Sequence, residues 1–299
     1  VIMKKIGIIV SLLALLTLGL NKAYAAKTPS IVVIDVGAQS SLFPNIVTEV
    51  CIVENLTCPN GKRFMEGPGA ANVGVTKVLA VNHGTNLISI INQVNPNVGI
   101  IPIKIVATYP QGYLALYTNA AVKLALDWVV ANKDKYNIAA VSVSQGKIFQ
   151  GCYVPPGTAD DVKALKESNI PVIAAAGNDA NKTDMMSIAC LQDVISIGAT
   201  DNPDPGTSGK AYCKSCNPTI ARYSNGNPTF YLNGRWYAKQ TDGSTKFTVG
   251  TSMATAAFAG LWVANYSTSI QTTLEKFKTG SLSISGNGRV GYYVNSDLS

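Results

Sequence analysis

The stretch Ile31-Val32-Val33-Ile34-Asp35-Val36-Gly37 is an apolar run that ends in an acid, with a glycine two residues on. A strand that is apolar at every position must be buried on both faces, and a parallel sheet covered by helices on both sides supplies that burial. Runs of the same kind recur at Val98–Ala107, Ile138–Ser144, Val172–Ala176 and Val194–Ala199. Helical stretches lie between them. Leu114–Asn132 is rich in Ala, Leu and Val, and Thr158–Ser168 opens with Thr158 three residues before Asp161, a loose capping box. Ser252–Asn265 is small and apolar enough to be a buried helix. The alternation predicts an α/β fold, a three-layer sandwich with a central, mostly parallel sheet and helices on both faces. Asn233-Gly234, between Tyr231-Leu232 and Trp236-Tyr237, predicts a β-hairpin. No repeat, low-complexity tract or long linker interrupts the pattern, so a single domain is expected over residues 26–299.

The 299 residues are 47% hydrophobic and 14% charged, which suits a large buried core and excludes a disordered polymer. Lys4 and Lys5, the apolar run Ile6 to Leu20 and the small residues of Ala23-Tyr24-Ala25 read as a secretory signal over residues 1–25. The run is shorter than the ~20 residues a membrane anchor needs. The expected product is therefore secreted or periplasmic, with no stable membrane anchor. The formal charge of +7 includes Lys4, Lys5 and Lys22 of that leader. The remaining excess is modest and supports solubility, not nucleic-acid binding.

Six cysteines in an exported chain point to disulfides. Six allow 15 pairings, and proximity and elimination favour Cys51–Cys58, Cys152–Cys190 and Cys213–Cys216. The last pair is a C-x-x-C. A zinc site there lacks further ligands, since His83 is the only histidine, and a redox dithiol lacks a thioredoxin-like context.

Three residues stand out for chemistry. Asp35 ends an apolar strand, where the carboxyl edge of a parallel sheet forms a crevice. His83, followed by Gly84-Thr85 and the apolar run Leu87–Ile91, sits at the first turn of a helix, whose dipole favours a neutral imidazole. Ser252, in Gly250-Thr251-Ser252-Met253-Ala254, starts a helix whose free N–H groups could bind an oxyanion. Each also has a plain structural reading, as helix cap or core residue.

Together these residues resemble the subtilisin-like serine proteases, or subtilases. The resemblance rests on Val33-Ile34-Asp35-Val36-Gly37, His83-Gly84-Thr85, Ser144-Gln145-Gly146, Ala175-Ala176-Gly177-Asn178 and Gly250-Thr251-Ser252-Met253-Ala254. Fainter echoes are Val194–Ala199 and Ser224-Asn225-Gly226. It implies a serine endopeptidase acting on polypeptide, with Asp35, His83 and Ser252 as catalytic triad and Asn178 as oxyanion donor. It further implies that Ser144, Gln145 and Gly146 pair with extended substrate and form one wall of the specificity pocket, with Ala175, Ala176 and Gly177 as the other.

The chain departs from the family in three respects. No propeptide is recognisable between the leader and Asp35, the helix after Ser252 lacks the family's proline, and Asn86-Leu87-Ile88-Ser89 lacks the usual second histidine. No cofactor is required. Structural calcium, common in the family, finds no dense acidic loop here, because Asp160-Asp161 and Asp201-Asn202-Pro203-Asp204 read as cap and turn residues. A monomer is expected. Two other functions compete: a catalytically silent subtilase fold that binds or inhibits a partner, and an esterase or transpeptidase using the same acyl-enzyme.

Overall fold

The computed structural model describes residues 28–73, 79–107, 109, 119–201 and 218–294. Its strands, in chain order, are β1 (Ser30–Asp35), β2 (Val50–Ile52), β3 (Phe64–Glu66), β4 (Gly99–Lys104), β5 (Ile138–Val143), β6 (Val172–Ala175), β7 (Ile195–Asp201), β8 (Thr219–Ile220), β9 (Phe230–Asn233), β10 (Arg235–Lys239), β11 (Thr245–Val249), β12 (Leu282–Gly286) and β13 (Arg289–Tyr293). The helices are α1 (His83–Val94), α2 (Asn119–Asn132), α3 (Thr158–Glu167), α4 (Thr251–Asn265) and α5 (Ile270–Thr279).

The main sheet runs β12-β13-β9-β7-β6-β5-β1-β4-β2-β3. Every neighbouring pair from β13 to β2 is parallel, and β3 and β12 close the two edges antiparallel. β1 lies at the centre, between β4 and β5, and all six of its residues are buried. Its alternate residues face opposite layers, as strand geometry requires. Ile31 and Val33 join a core with α1 and α4, while Val32 and Ile34 join one with α2 and α3. The predicted three layers are present, and the runs read from sequence correspond to β1, β4, β5, β6 and β7.

α4 is buried from Thr251 through Trp262. A helix can be buried so completely only where its neighbours come close, and its small residues allow that. A Cβ added at Gly260 would stand 3.1 Å from Val94 of α1. α4 contains no proline and runs unbroken for 15 residues.

Two local expectations fail. Asn233-Gly234 does not make a hairpin: β9 before it pairs in the main sheet, while β10 after it pairs with β11 in a separate two-stranded sheet. Gly234 marks a crossing between sheets, where an added Cβ would come within 2.7 Å of both Ala199 Cβ and the Tyr223 hydroxyl. The hairpin turn lies downstream, over Gln240–Ser244 with Gly243 at φ 81°. The capping box on α3 is also absent. Gly157, with φ 79°, holds the N-cap position, and Thr158 Oγ1 is buried without a hydrogen-bond partner among the described residues.

Cys51–Cys58 and Cys152–Cys190 are disulfide-bonded as expected. Cys213 and Cys216, the leader, residues 114–118 of the predicted helix and Asp204 lie outside the described residues. Among the described residues no helix is long and apolar enough to cross a membrane.

Candidate active site

Strand β1 delivers Asp35 to the carboxyl edge of the sheet, where the chain order reverses between β4 and β5. That is the position where open parallel sheets form ligand crevices. Asp35 is 1% exposed, so its charge must be compensated by hydrogen bonds. Oδ1 accepts from the Val36 N–H at 2.8 Å. His83 Nδ1 lies 2.9 Å from both Oδ1 and Oδ2. Gln145 Nε2 donates to Oδ2 at 2.9 Å.

The approach of α1 to β1 depends on glycine. A Cβ at Gly84 would collide with the carbonyl oxygen of Gly37, and one at Gly37, where φ is 100°, would collide with that of Ala71. This seating brings the first residue of α1 onto the carboxylate. With a carboxylate on Nδ1, the neutral ring carries its proton there and turns Nε2 outward as an acceptor. Burial opposes charge on His83, but the Coulombic attraction and hydrogen bond of Asp35 outweigh it and raise its pKa above the ordinary 6.5. The helix dipole alone would push the other way, so the neighbouring carboxylate is the stronger influence.

Ser252 is the second residue of α4 and 5% exposed. Its turn is built around Asn178, which follows β6. Asn178 Oδ1 accepts from Thr251 N and Thr251 Oγ1, each at 3.0 Å. The doubly accepting oxygen fixes the amide orientation and leaves Nδ2 to donate elsewhere. Of the first N–H groups of α4, that of Thr251 goes to Asn178 and that of Met253 to Gly250 O at 3.2 Å. The Ser252 N–H and Asn178 Nδ2 have no hydrogen-bond acceptor among the described residues, so two donors stand free beside the serine.

His83 and Ser252 share the same sheet edge. Asp35 anchors the start of α1 beyond β1, and Asn178 anchors the start of α4 beyond β6, and these strands point the same way. The two helices then run back along one face and touch where Gly260 approaches Ile91 and Val94. Eight residues back from Ile91 is His83, and eight back from Gly260 is Ser252. Among the described residues no hydrogen bond joins the Ser252 hydroxyl to His83, a looseness common where no substrate is bound.

Asn225 secures the loop that carries Asn178. It is fully buried, and its Oδ1 accepts from Asp179 N at 2.8 Å and Asn181 N at 3.0 Å. Its Nδ2 donates to Asp179 Oδ2 at 2.9 Å, and its N–H to Gly177 O at 3.1 Å.

The expected pocket walls lie at the ends of neighbouring strands, Ser144–Gly146 just beyond β5 and Ala175–Gly177 closing β6. Between them stands Met186. An added Cβ at Gly177 would come within 2.8 Å of its Cγ, and one at Gly146 within 3.3 Å of its Cβ. Sequence reading missed Met186 and the contact of Gln145 with Asp35, and it weighed Asn225 only as a faint echo. Beyond the Asn225-Gly226 pair itself, no signal in the sequence marks Asn225. Among the described residues no cluster of three or more His, Cys, Asp or Glu side chains could hold a metal. Asp161 instead pairs with Lys123 at 2.9 Å.

Comparisons with known proteins agree with this fold. Among solved structures, a cold-adapted subtilisin-like serine proteinase superposes with a TM-score of 0.62 at 18% identity, covering 90% of this chain and 89% of that one. A psychrophilic protease gives 0.62 at 17% identity, covering 85% and 83%. The protease domain of PatA gives 0.62 at 16%, covering 91% and 94%. At such identities the likeness establishes the fold. The model of the subtilase family matches residues 74–272, a span that includes His83, Asn178 and Ser252 and begins after Asp35. By that match, across about two-thirds of its length, the chain belongs to the subtilase family of serine peptidases.

Proposed function

We propose that the chain is a secreted, monomeric serine endopeptidase that cleaves polypeptides through Asp35, His83 and Ser252. The observation that carries this reading is the Asp35–His83 pair: the single histidine of the chain is held by a buried carboxylate through Nδ1, at the same sheet edge as Ser252. In the reaction, Ser252 Oγ bonds to the scissile carbonyl carbon while His83 Nε2 takes its proton. The carbonyl oxygen becomes an oxyanion beside the Ser252 N–H and Asn178 Nδ2. Collapse breaks the C–N bond, and His83 returns the proton to the leaving amine. Water then repeats the relay on the acyl-enzyme. Asp35 holds the tautomer throughout and stabilises the imidazolium. The steps take no metal or cofactor. Extended substrate would lie along Ser144–Gly146 and Ala175–Gly177. The leader-like segment at residues 1–25 and the two disulfides support export.

A second reading is a catalytically silent subtilase fold that binds or inhibits a partner. Fluorophosphonate labelling decides between them. Labelling at Ser252 that vanishes in Ser252→Ala, together with casein hydrolysis, is the expected result. A folded chain that neither labels nor cleaves would overturn the reading. Turnover of a p-nitrophenyl ester without casein would reassign the acyl-enzyme to an esterase.

A further inference from the structure

Gln145 was expected to line the substrate groove, yet its side chain is turned inward. Nε2 donates to Asp35 Oδ2 at 2.9 Å and stands 3.4 Å from His83 Nδ1. A carboxylate only accepts, so the end of Gln145 that faces it must be the amide NH2. With this bond each Asp35 oxygen has two partners: Oδ1 has Val36 N and His83, and Oδ2 has His83 and Gln145. Apart from His83, Gln145 is the only side chain that hydrogen-bonds Asp35 among the described residues.

The other charged groups near His83 are otherwise engaged. Lys104, which pairs in register with Asp35, is buried on β4 and donates to Asn72 O at 2.7 Å. Burial lowers its pKa to about 8. α4 and the turn Leu79–Asn82 before α1 carry no charged side chain. β10 contributes Arg235, stacked over Phe247, and the exposed Lys239.

We propose that Gln145 is a positioning residue of the Asp35–His83 pair, holding the carboxylate in the orientation that faces Nδ1 and sharing its charge. The inference rests on the reading of that pair as catalytic. Without Gln145 the carboxylate could swing away from the ring plane, which lowers turnover. All of its charge would also act on the imidazolium, while the partial positive charge of the amide would be gone. The unshared charge and the lost amide dipole favour protonated His83 and outweigh the looser contact with the ring, so a neutral base would form only at higher pH. A merely structural or substrate-lining Gln145 would alter stability or KM and leave this titration alone.

The test uses Gln145→Leu and the near-isosteric Gln145→Glu, which sets a second carboxylate against the first. Because His83 is the only histidine, the untagged, disulfide-intact chain with a labelled imidazole gives one NMR titration, readable in a Ser252→Ala background with no activity required. The expected midpoint rises by about half a unit in Gln145→Leu and by about one unit in Gln145→Glu. In the Ser252 chain, kcat of Gln145→Leu falls about tenfold with KM within about twofold, and the acid limb of kcat/KM moves with the NMR midpoint. If Gln145→Leu does not fold, Gln145→Asn, one methylene shorter, withdraws the amide and keeps its polarity. An unmoved midpoint in a folded variant, or a KM rise with unchanged kcat, overturns the proposal. Failed fluorophosphonate labelling of the parent would instead overturn the catalytic reading and leave the titration result standing.

Discussion

Replacing Asn225 with alanine withdraws three side-chain hydrogen bonds at once: two accepted from the N–H groups of Asp179 and Asn181, and one donated to the Asp179 carboxylate. Fully dry, such a loss would reach about 1–3 kcal/mol per group. Asp179 is exposed and Asn181 half-buried, so water can satisfy much of what is left unpaired. A destabilisation of about 2–3 kcal/mol follows. In a domain of this size it lowers Tm by about 5–10 °C. The catalytic effect is smaller than it first looks. Asn178 has its own tie to Thr251 N and Oγ1, so its Nδ2 stays close to place when the loop loosens. kcat should fall about tenfold, which is ~1.4 kcal/mol of transition-state stabilisation. Calorimetry on the Ser252→Ala background, free of self-digestion, reads the first quantity, and peptide hydrolysis below the new Tm reads the second. Asn225→Asp keeps both accepted bonds but sets a second carboxylate against Asp179, so its stability should recover on acidification. An Asn225→Ala chain with unchanged Tm and unchanged kcat would refute the clamp.

Other perturbations test other parts of the site. Asn178→Ala should lower kcat by ~10²–10³ with little change in KM, a magnitude known from subtilisin itself. Asn178→Asp, which keeps the acceptor for Thr251 but aims an oxygen at the oxyanion, should do worse. With its pKa raised by Asp35, His83 stabilises the fold fully below its ordinary 6.5, and that contribution fades as pH rises through the folded value. Activity runs the other way: the acid limb of kcat/KM should lie above 6.5, and in Asp35→Asn its midpoint should drop. Removing Cys152–Cys190, which closes a loop of sequence separation 38, should cost up to about 4 kcal/mol by loop-closure entropy, measurable by urea unfolding of Cys152→Ser/Cys190→Ser.

The parts legible in sequence were those whose cause is local. β1 had to be buried on both sides because no residue from Ile31 to Ile34 is polar, and His83 and Ser252 announce helix starts through their immediate neighbours. The inner arrangement of the site was not legible, because Gln145 meets Asp35 across 110 residues of chain and Asn225 meets Asp179 across 46. No periodicity encodes where such a side chain points. Asn233-Gly234 misled for a related reason. Its glycine answers to tertiary crowding by Ala199 and Tyr223, whereas Asp242-Gly243, with the same turn chemistry, makes the hairpin. At Thr158 the local signal was outcompeted by the glycine before it.

The burial of α4 has a consequence for the order in which the molecule comes into being. This helix packs on α1 and on β1, β5, β6, β7 and β9, segments that all precede it in the chain. Its docking therefore closes some of the longest loops in the fold, the kind of contact that forms slowly. Ser252 cannot reach the sheet edge that holds His83 until the sheet beneath it exists, so on the proposed function cleavage competence is a late event in folding. On that reading a chain still emerging from synthesis holds its histidine and its carboxylate but no positioned nucleophile. Sampled during refolding, fluorophosphonate capture at Ser252 would serve as a clock for the last step of assembly.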